Sequence, residues 1–344
     1  MALRSLVRSC ERSVQVVNRF NGVLATVKST GAWASPDARL IFWLVILLVV
    51  SGSGCRRNDP PSAAVIDRSR QEFTDDLGRH INVVSSPRRI ISLAPSITET
   101  LFALHLDNEV IAVTSYCDYP AAAQKKERIG DTLTPDLEKI VALKPELVIV
   151  TTASQLEALT RQLESLSIPV YVTNPRTVRG IIGMIRRLGQ VTGRVERANE
   201  LATEMEERVR RIESRASLLP RVSVLYLLQL DPLITAGKET FLNDLINLAG
   251  GRSISGEEKA DYPQFSRETV LGRSPDVMLL STLHGSRSGE ALLDEKRLRL
   301  LFASTPAVRN NRLIPINSDW IDRPGPRIID GLEQIAQALH PESP

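Results

Sequence analysis

Three short segments hold four of the fifteen aromatic residues in this 344-residue chain. They are Ser115-Tyr116-Cys117-Asp118-Tyr119-Pro120, Asp261-Tyr262-Pro263-Gln264, and Ser318-Asp319-Trp320-Ile321-Asp322-Arg323-Pro324. Rings beside carboxylates and a guanidinium suit reversible binding, provided the fold places these segments at the ends of strands. Rings at such places can equally do no more than cover the edge of a lobe. Signatures of catalysis are absent. Ala236-Gly237-Lys238-Glu239-Thr240 is only a faint echo of a phosphate-binding loop, since Pro232 stands where the first glycine belongs. No G-x-G-x-x-G follows a strand, and no H-E-x-x-H or C-x-x-C occurs. His80, His105, His284 and His340 lack metal-ligand spacing, and no metal site is expected. Cys117 has no histidine nearby to activate it and reads as a small lining residue.

Charge narrows the partners. The formal net charge of +3 is misleading, because residues 1–54 carry six Lys or Arg against two Asp or Glu. The remainder has 37 basic and 38 acidic groups, a net of −1. A nearly neutral body lacks the basic surface that phosphate backbones require, so nucleic acid is not expected as a partner.

The elements that must position the three segments alternate between strand and helix. A hairpin is expected at residues 73–84, and strands at 90–93, 110–113, 147–150, 168–172, 222–228, 277–280 and 313–316. Their continuous apolar runs imply parallel sheets covered on both faces. Ser96 and Glu99 have the spacing of a capping box, and Thr134-Pro135 reads as another helix start, with Ser154 a third. Residues 194–216 differ: Val195, Ala198, Ala202, Met205, Val209, Ile212 and Ala216 make one apolar stripe along about six turns. Glu204/Arg208, Glu206/Arg210 and Glu207/Arg211 have the spacing of i, i+4 pairs. Such a helix suits a coiled-coil partner or packing across two lobes. An internal repeat favours the lobes. Residues 137–150 align with 267–280, each a helix, a Pro followed by an acid, and a buried strand, with Glu138 and Glu268 seven residues before the Pro.

The N-terminus reads as an address. Residues 40–50 are apolar and uncharged, at ~1.5 Å per residue spanning roughly half of the ~30 Å hydrocarbon core, which suits a secretory signal better than a membrane span. Small residues at 51–54 lead to Cys55, in the manner of a bacterial lipoprotein signal; Gly52 departs from that pattern, and an anchor without lipid is the alternative. Cys10 falls in the discarded segment, so the exported chain keeps only Cys117 as a free thiol and no internal disulfide. Residues 1–54 are thus the signal region, 55–72 a polar tether, 73–190 an N-terminal lobe, 191–218 a linking helix and 219–344 a C-terminal lobe.

Residues 89–99, the Tyr116 segment, 137–149, Thr235-Ala236-Gly237-Lys238-Glu239, residues 262–268, Ser318-Asp319-Trp320 and Pro326-Arg327-Ile328-Ile329 together resemble the helical-backbone substrate-binding proteins of ABC importers, most of all the cobalamin binders among them. The resemblance runs over residues 73–340. It implies an α/β fold of two doubly wound, Rossmann-like lobes joined by one long α-helix, with the ligand cleft between the lobes. It implies a periplasmic or extracytoplasmic binding protein without catalysis, tethered by lipid on Cys55. Its cargo would be cobalamin or a related corrinoid, passed to a permease in the inner membrane; ferric siderophore or haem is the alternative ligand on the same fold. Site residues implied are Tyr116, Tyr262, Asp319, Trp320, Ile321, Asp322 and Arg323 for the ligand, with Glu138 and Glu268 for docking on the permease. Read without the resemblance, those two glutamates merely favour their helix starts. Tyr262 stands where the family has a tryptophan, and a second family tryptophan falls near Thr132 or Thr151, so aromatic cover is thinner here.

Overall fold

Parallel strands in two separate sheets organise the chain. The computed structural model describes residues 69–152, 157–282 and 295–341. The signal region, residues 55–68 of the tether with Cys55, Ser154 and His284 lie outside the described residues.

A hairpin comes first, β1 (Arg70–Thr74) against β2 (His80–Val84). It starts earlier than the expected Phe73, because Arg70 pairs with Val84 in the antiparallel register. Asp75 closes the turn, accepting from the N–H groups of Leu77 and Arg79 at 2.9 Å each.

The first lobe follows. Its strands are β3 (Ile90–Ser92), β4 (Val110–Val113), β5 (Glu127–Arg128), β6 (Leu147–Thr151) and β7 (Val170–Thr173), parallel throughout in the order β5-β4-β3-β6-β7. The chain enters at the centre, builds one side, then crosses to the other. That reversal opens a crevice at the C-terminal strand ends. The helices are α1 (Pro95–Ala103), α2 (Leu137–Ala142), α3 (Glu157–Ser165) and α4 (Val178–Thr192).

The second lobe repeats the plan with β8 (Val222–Leu227), β11 (Gly251–Ser253), β12 (Val277–Thr282) and β13 (Leu313–Asn317), all parallel in the order β11-β8-β12-β13. A small hairpin, β9 (Gln229–Leu230) and β10 (Leu233–Ile234), stands at the exit of β8. Around this sheet lie α6 (Phe241–Leu248), α7 (Arg267–Arg273), α8 (Glu295–Leu301), α9 (Pro306–Arg309), the single turn α10 (Ser318–Ile321) and the C-terminal α11 (Ile328–Leu339).

The expected long helix is α5 (Val195–Ala216), 22 residues and so about 33 Å in length. It packs on α4 of the first lobe and on α6 and α11 of the second. Ala198, Ala202, Met205 and Val209 are buried along it, while Val195 stays exposed. The contact with α4 is close: a Cβ on Gly189 would lie 2.2 Å from the Cβ of Ala198, so only glycine fits there. Two of the expected i, i+4 pairs give way to partners on neighbouring helices. Glu206 binds Arg186 of α4 at 2.5 and 3.0 Å, and Arg208 binds Asp330 and Glu333 of α11 at 2.7 and 2.8 Å. Bidentate arginine across a helix seam outcompetes a solvated pair on one helix.

One buried apolar cluster joins the lobes. It contains Ile149 and Tyr171 of the first sheet, Tyr226 and Leu279 of the second, and the α5 stripe. The opposite sheet faces carry smaller clusters, Val148 and Val150 with Ile140 in one lobe, Leu225 and Leu280 with Val270 in the other. Alternate residues of each strand thus point to different cores, as a sheet covered on both faces requires.

Two expected helix starts are corrected. Asp136, not Thr134, caps α2 by accepting from the N–H of Lys139 at 3.0 Å. Thr134 is held in the preceding turn, its N–H and hydroxyl both donating to Asp131. On α1 there is no capping box: Ala94 is the N-cap, and Glu99 turns its carboxylate toward two arginines of the other lobe.

Candidate ligand cleft between the lobes

The three segments do follow strands or loop over strand ends. The Tyr116 segment leaves β4, and the Trp320 segment leaves β13 as α10. The Tyr262 segment lies between β11 and α7, its backbone fastened to the β10 side by Thr235 N–H to Pro263 O at 3.2 Å and Gly237 N–H to Asp261 O at 2.8 Å. Those bonds also exclude a phosphate cradle at Gly237. Its N–H is taken, Lys238 N–H is taken by Glu258 O, and a Cβ on Gly237 would lie 1.9 Å from Ala260 O. The glycine permits a close backbone crossing.

Tyr116 and Tyr262 are the rings left open, 61% and 52% exposed. Tyr119 is 47% exposed and has the Arg327 guanidinium stacked 3.9 Å from its ring centre. Trp320 is half-buried, packed against the central apolar cluster. Ile321, expected at the ligand, is fully buried instead; a Cβ on Gly331 would come within 2.4 Å of its Cγ2. It wedges α10 onto α11 and leaves the cleft to its neighbours.

Charged groups tie the segments together across the lobes. Arg323 Nη1 donates to Asp118 at 2.8 Å and to Glu99 at 3.1 Å, and Nη2 lies 3.0 Å from Asp319. Arg327 grips Glu99 with Nε at 2.8 Å and Nη2 at 2.5 Å. Desolvation pulls the Arg323 pKa down, but hydrogen bonding to Asp118 and the charges of Asp319 and Asp118 outweigh it, and the guanidinium ends above its usual value. At another part of the cleft, Arg176 of the first lobe meets Asp261, beside Tyr262, at 2.5 Å. The loops bearing Tyr116 and Tyr262 therefore each carry a carboxylate bonded to the opposite lobe.

Asp322 faces inward rather than across. It accepts from Tyr226 Oη at 2.5 Å and from Ser281 Oγ at 2.8 Å. Burial pushes its carboxyl pKa up, although the two hydroxyls oppose that shift. Cys117 is buried against Thr114 at 3.2 Å, and burial pushes its thiol up as well, so it is a poor nucleophile. Among the described residues no group of three or more His, Cys, Asp or Glu is placed to hold a metal ion.

Glu138 and Glu268 are exposed at the second positions of α2 and α7. Hydrogen bonds from its own N–H and from Ser266 hold the Glu268 carboxyl below the ordinary range. Sequence reasoning missed Tyr226 and Ser281, which are ordinary strand residues, and misread Glu99. The Arg323/Arg327 spacing, one helical turn apart, was the available sign that a carboxylate lies between them.

Two lobes of parallel sheet, a helix spanning both, and open rings at the facing loops define a substrate-binding protein. The sequence pattern of the periplasmic binding protein family matches residues 90–320, and the chain belongs to that family. It is 30% identical to the vitamin B12-binding protein of Photorhabdus laumondii subsp. laumondii, over 75% of this chain and 90% of that one. The vitamin B12-binding protein of Vibrio campbellii is 31% identical over 73% and 88%. Among solved structures, the periplasmic vitamin B12 binding protein BtuF of Vibrio cholerae superposes with a TM-score of 0.65 at 29% identity, covering 74% of this chain and 97% of that one. The periplasmic heme-binding protein RhuT from Roseiflexus sp. RS-1 gives 0.65 at 26% identity, over 74% and 98%.

Proposed function

We propose that this chain is an extracytoplasmic binding protein that captures cobalamin or a related corrinoid between its lobes and delivers it to an ABC importer, without catalysing a reaction. The observation that carries this reading is the pair of open rings, Tyr116 and Tyr262, on loops bonded to the opposite lobe. A corrin is broad and flat, with apolar faces and amide edges. Rings suit the faces, the half-buried Trp320 among them, and Asp319 suits the rim. The named relatives support the same ligand. Incubation with cyanocobalamin or haemin, removal of free ligand and a visible spectrum test it. Retained cobalamin absorption is expected, and retention of haem alone would replace cobalamin by haem on the same fold.

The boundaries of signal, tether, lobes and linking helix given above belong to this reading, as does lipid on Cys55. Cys55→Ala should move the protein from the membrane fraction to the soluble one, since the acyl chains supply the anchoring energy. Glu138 and Glu268, exposed on equivalent helices of the two lobes, are the docking pair for the permease. Exchanging both for Lys should leave ligand affinity intact and abolish pull-down of the permease; undiminished pull-down would reduce them to helix-start charges.

A further inference from the structure

We propose that Glu99 is a positioning residue of the cleft: by holding Arg323 and Arg327 it fixes the second lobe against the first, and so sets how thick a ligand the cleft accepts. The clause on ligand thickness rests on the corrinoid reading; the clause on the lobes does not.

Glu99 stands on α1, in the first lobe, with its side chain only 2% exposed. Its two oxygens take three charge-assisted bonds, a fork from Arg327 at 2.8 and 2.5 Å and one from Arg323 at 3.1 Å. Both arginines are themselves largely covered, 13% and 16% exposed. The backbones are close as well. A Cβ on Gly325, between the two arginines, would sit 3.1 Å from Ser96 O on α1.

The apolar cluster along α5 already joins the lobes at one place. One such join leaves the angle between them free to rock. A second, rigid join through Glu99 removes that freedom, and a fork that accepts only one orientation suits the task. The Arg176–Asp261 pair cannot do the same, because its side chains are 50% and 39% exposed and solvent and salt weaken it. Removing the Glu99 charge leaves Arg323 with Asp118 and Asp319 but takes away the carboxylate that Arg327 forks, so a covered guanidinium loses its ion-pair partner and the seam loosens.

Hydrogen exchange of the ligand-free full chain reads the seam directly. In Glu99→Gln, the non-proline amides of 94–100 and 323–328 should exchange about tenfold faster or more, as expected when a covered ion pair loses one partner, while α5 keeps its protection. Asp118→Asn, which removes one charge partner of Arg323 at a more open site, should shift the same amides less, and it serves if the first variant does not fold. Affinities for cobalamin and for cobinamide, which lacks the nucleotide loop, give the second readout. Glu99→Gln should change their ratio several-fold. Unchanged exchange at 323–328 in a folded variant would overturn the proposal, and so would faster exchange with an unchanged ratio, which would make Glu99 a stability residue only. Should the wild type retain neither corrinoid, the corrinoid reading and the thickness clause fall together, and the exchange rates still decide whether Glu99 holds the lobes.

Discussion

In the first lobe, Glu146 follows Pro145 and accepts from the N–H of Arg88 at 2.6 Å, just before β3; in the second, Asp276 follows Pro275 and accepts from the N–H of Ser223 at 3.1 Å, on β8. The return bonds match too, Glu146 N–H to Arg89 O at 2.8 Å and Asp276 N–H to Ser223 O at 2.9 Å. Each block even has a left-handed residue before its proline, Lys144 at φ 45° and Ser274 at φ 47°. The lobes are near copies where their strands begin. Where the strands end they differ: the exit of β4 carries two tyrosines and a buried cysteine, while that of its counterpart β11 reaches one tyrosine at Tyr262. The exit of β13 carries Trp320 with Asp319, Asp322, Arg323 and a buried isoleucine, where its counterpart β7 leads into Asn174-Pro175-Arg176. The shared half holds a parallel sheet together, and any lobe of this kind needs it. The divergent half carries the loops proposed above for the ligand.

That contrast predicts stability without function on one side and function without stability on the other. The largest effect should come from Ile140→Ala, which empties a fully buried site behind the first sheet and should cost ~2–5 kcal/mol in urea unfolding, while affinity for cobalamin holds. Val270→Ala, its counterpart in the second lobe, should cost less because the side chain removed is smaller. A loss of affinity matching the loss of stability would mean that the two halves of a lobe are not separable.

Next are the rings. Tyr116→Ala and Trp320→Ala should each weaken cobalamin binding by ~1–3 kcal/mol in isothermal titration, since each removes a ring face from the ligand. Tyr116→Ala should leave unfolding unchanged, because the ring is open to solvent. Trp320→Ala should cost some stability, because part of its ring packs on the central cluster. Unchanged affinity in both variants would remove the cleft from these loops.

Much of the shared half was legible in the sequence. A parallel strand buried on both faces announces itself as an apolar run, and the repeat 130 residues apart aligned the two entrances before any coordinates did. The stripe on α5 was equally plain. What stayed hidden were pairings between elements far apart in the chain. Glu99 lies three residues after a serine and reads as a cap, yet its partners are 224 and 228 residues away. Glu206 and Arg208 have plausible partners one turn along, and chose others. Local spacing shows which charge can be satisfied nearby; it does not show that a tertiary partner will do so better. Ile321 entered the expected site only because the resemblance covers its whole segment; fully buried, it seats α10 on α11.

Asp322 supplies the smallest expected effect and the finest test of the divergent half. Burial raises its carboxyl pKa in the folded protein, with the hydroxyls of Tyr226 and Ser281 and the charge of Arg323 opposing. A raised folded value means that the native state binds this proton more tightly than the unfolded chain does. Below the ordinary aspartate value both states are protonated and the group's contribution to stability is fully present. As pH rises through the folded value the native carboxyl ionises in a covered place, and that contribution is lost. Asp322→Asn removes the titration and keeps one oxygen for the hydroxyls. The stability of wild type relative to Asp322→Asn should therefore fall as pH rises from about 4 through the raised folded value, and level off above it. Urea midpoints of both proteins across that range measure it. The aspartate would nonetheless be useful at neutral pH, because a carboxylate fixed by Tyr226 and Ser281 holds the backbone on which Asp319 and Trp320 stand. A difference that rises with pH would show instead that the hydroxyls and Arg323 dominate and that Asp322 is a stabilising anion.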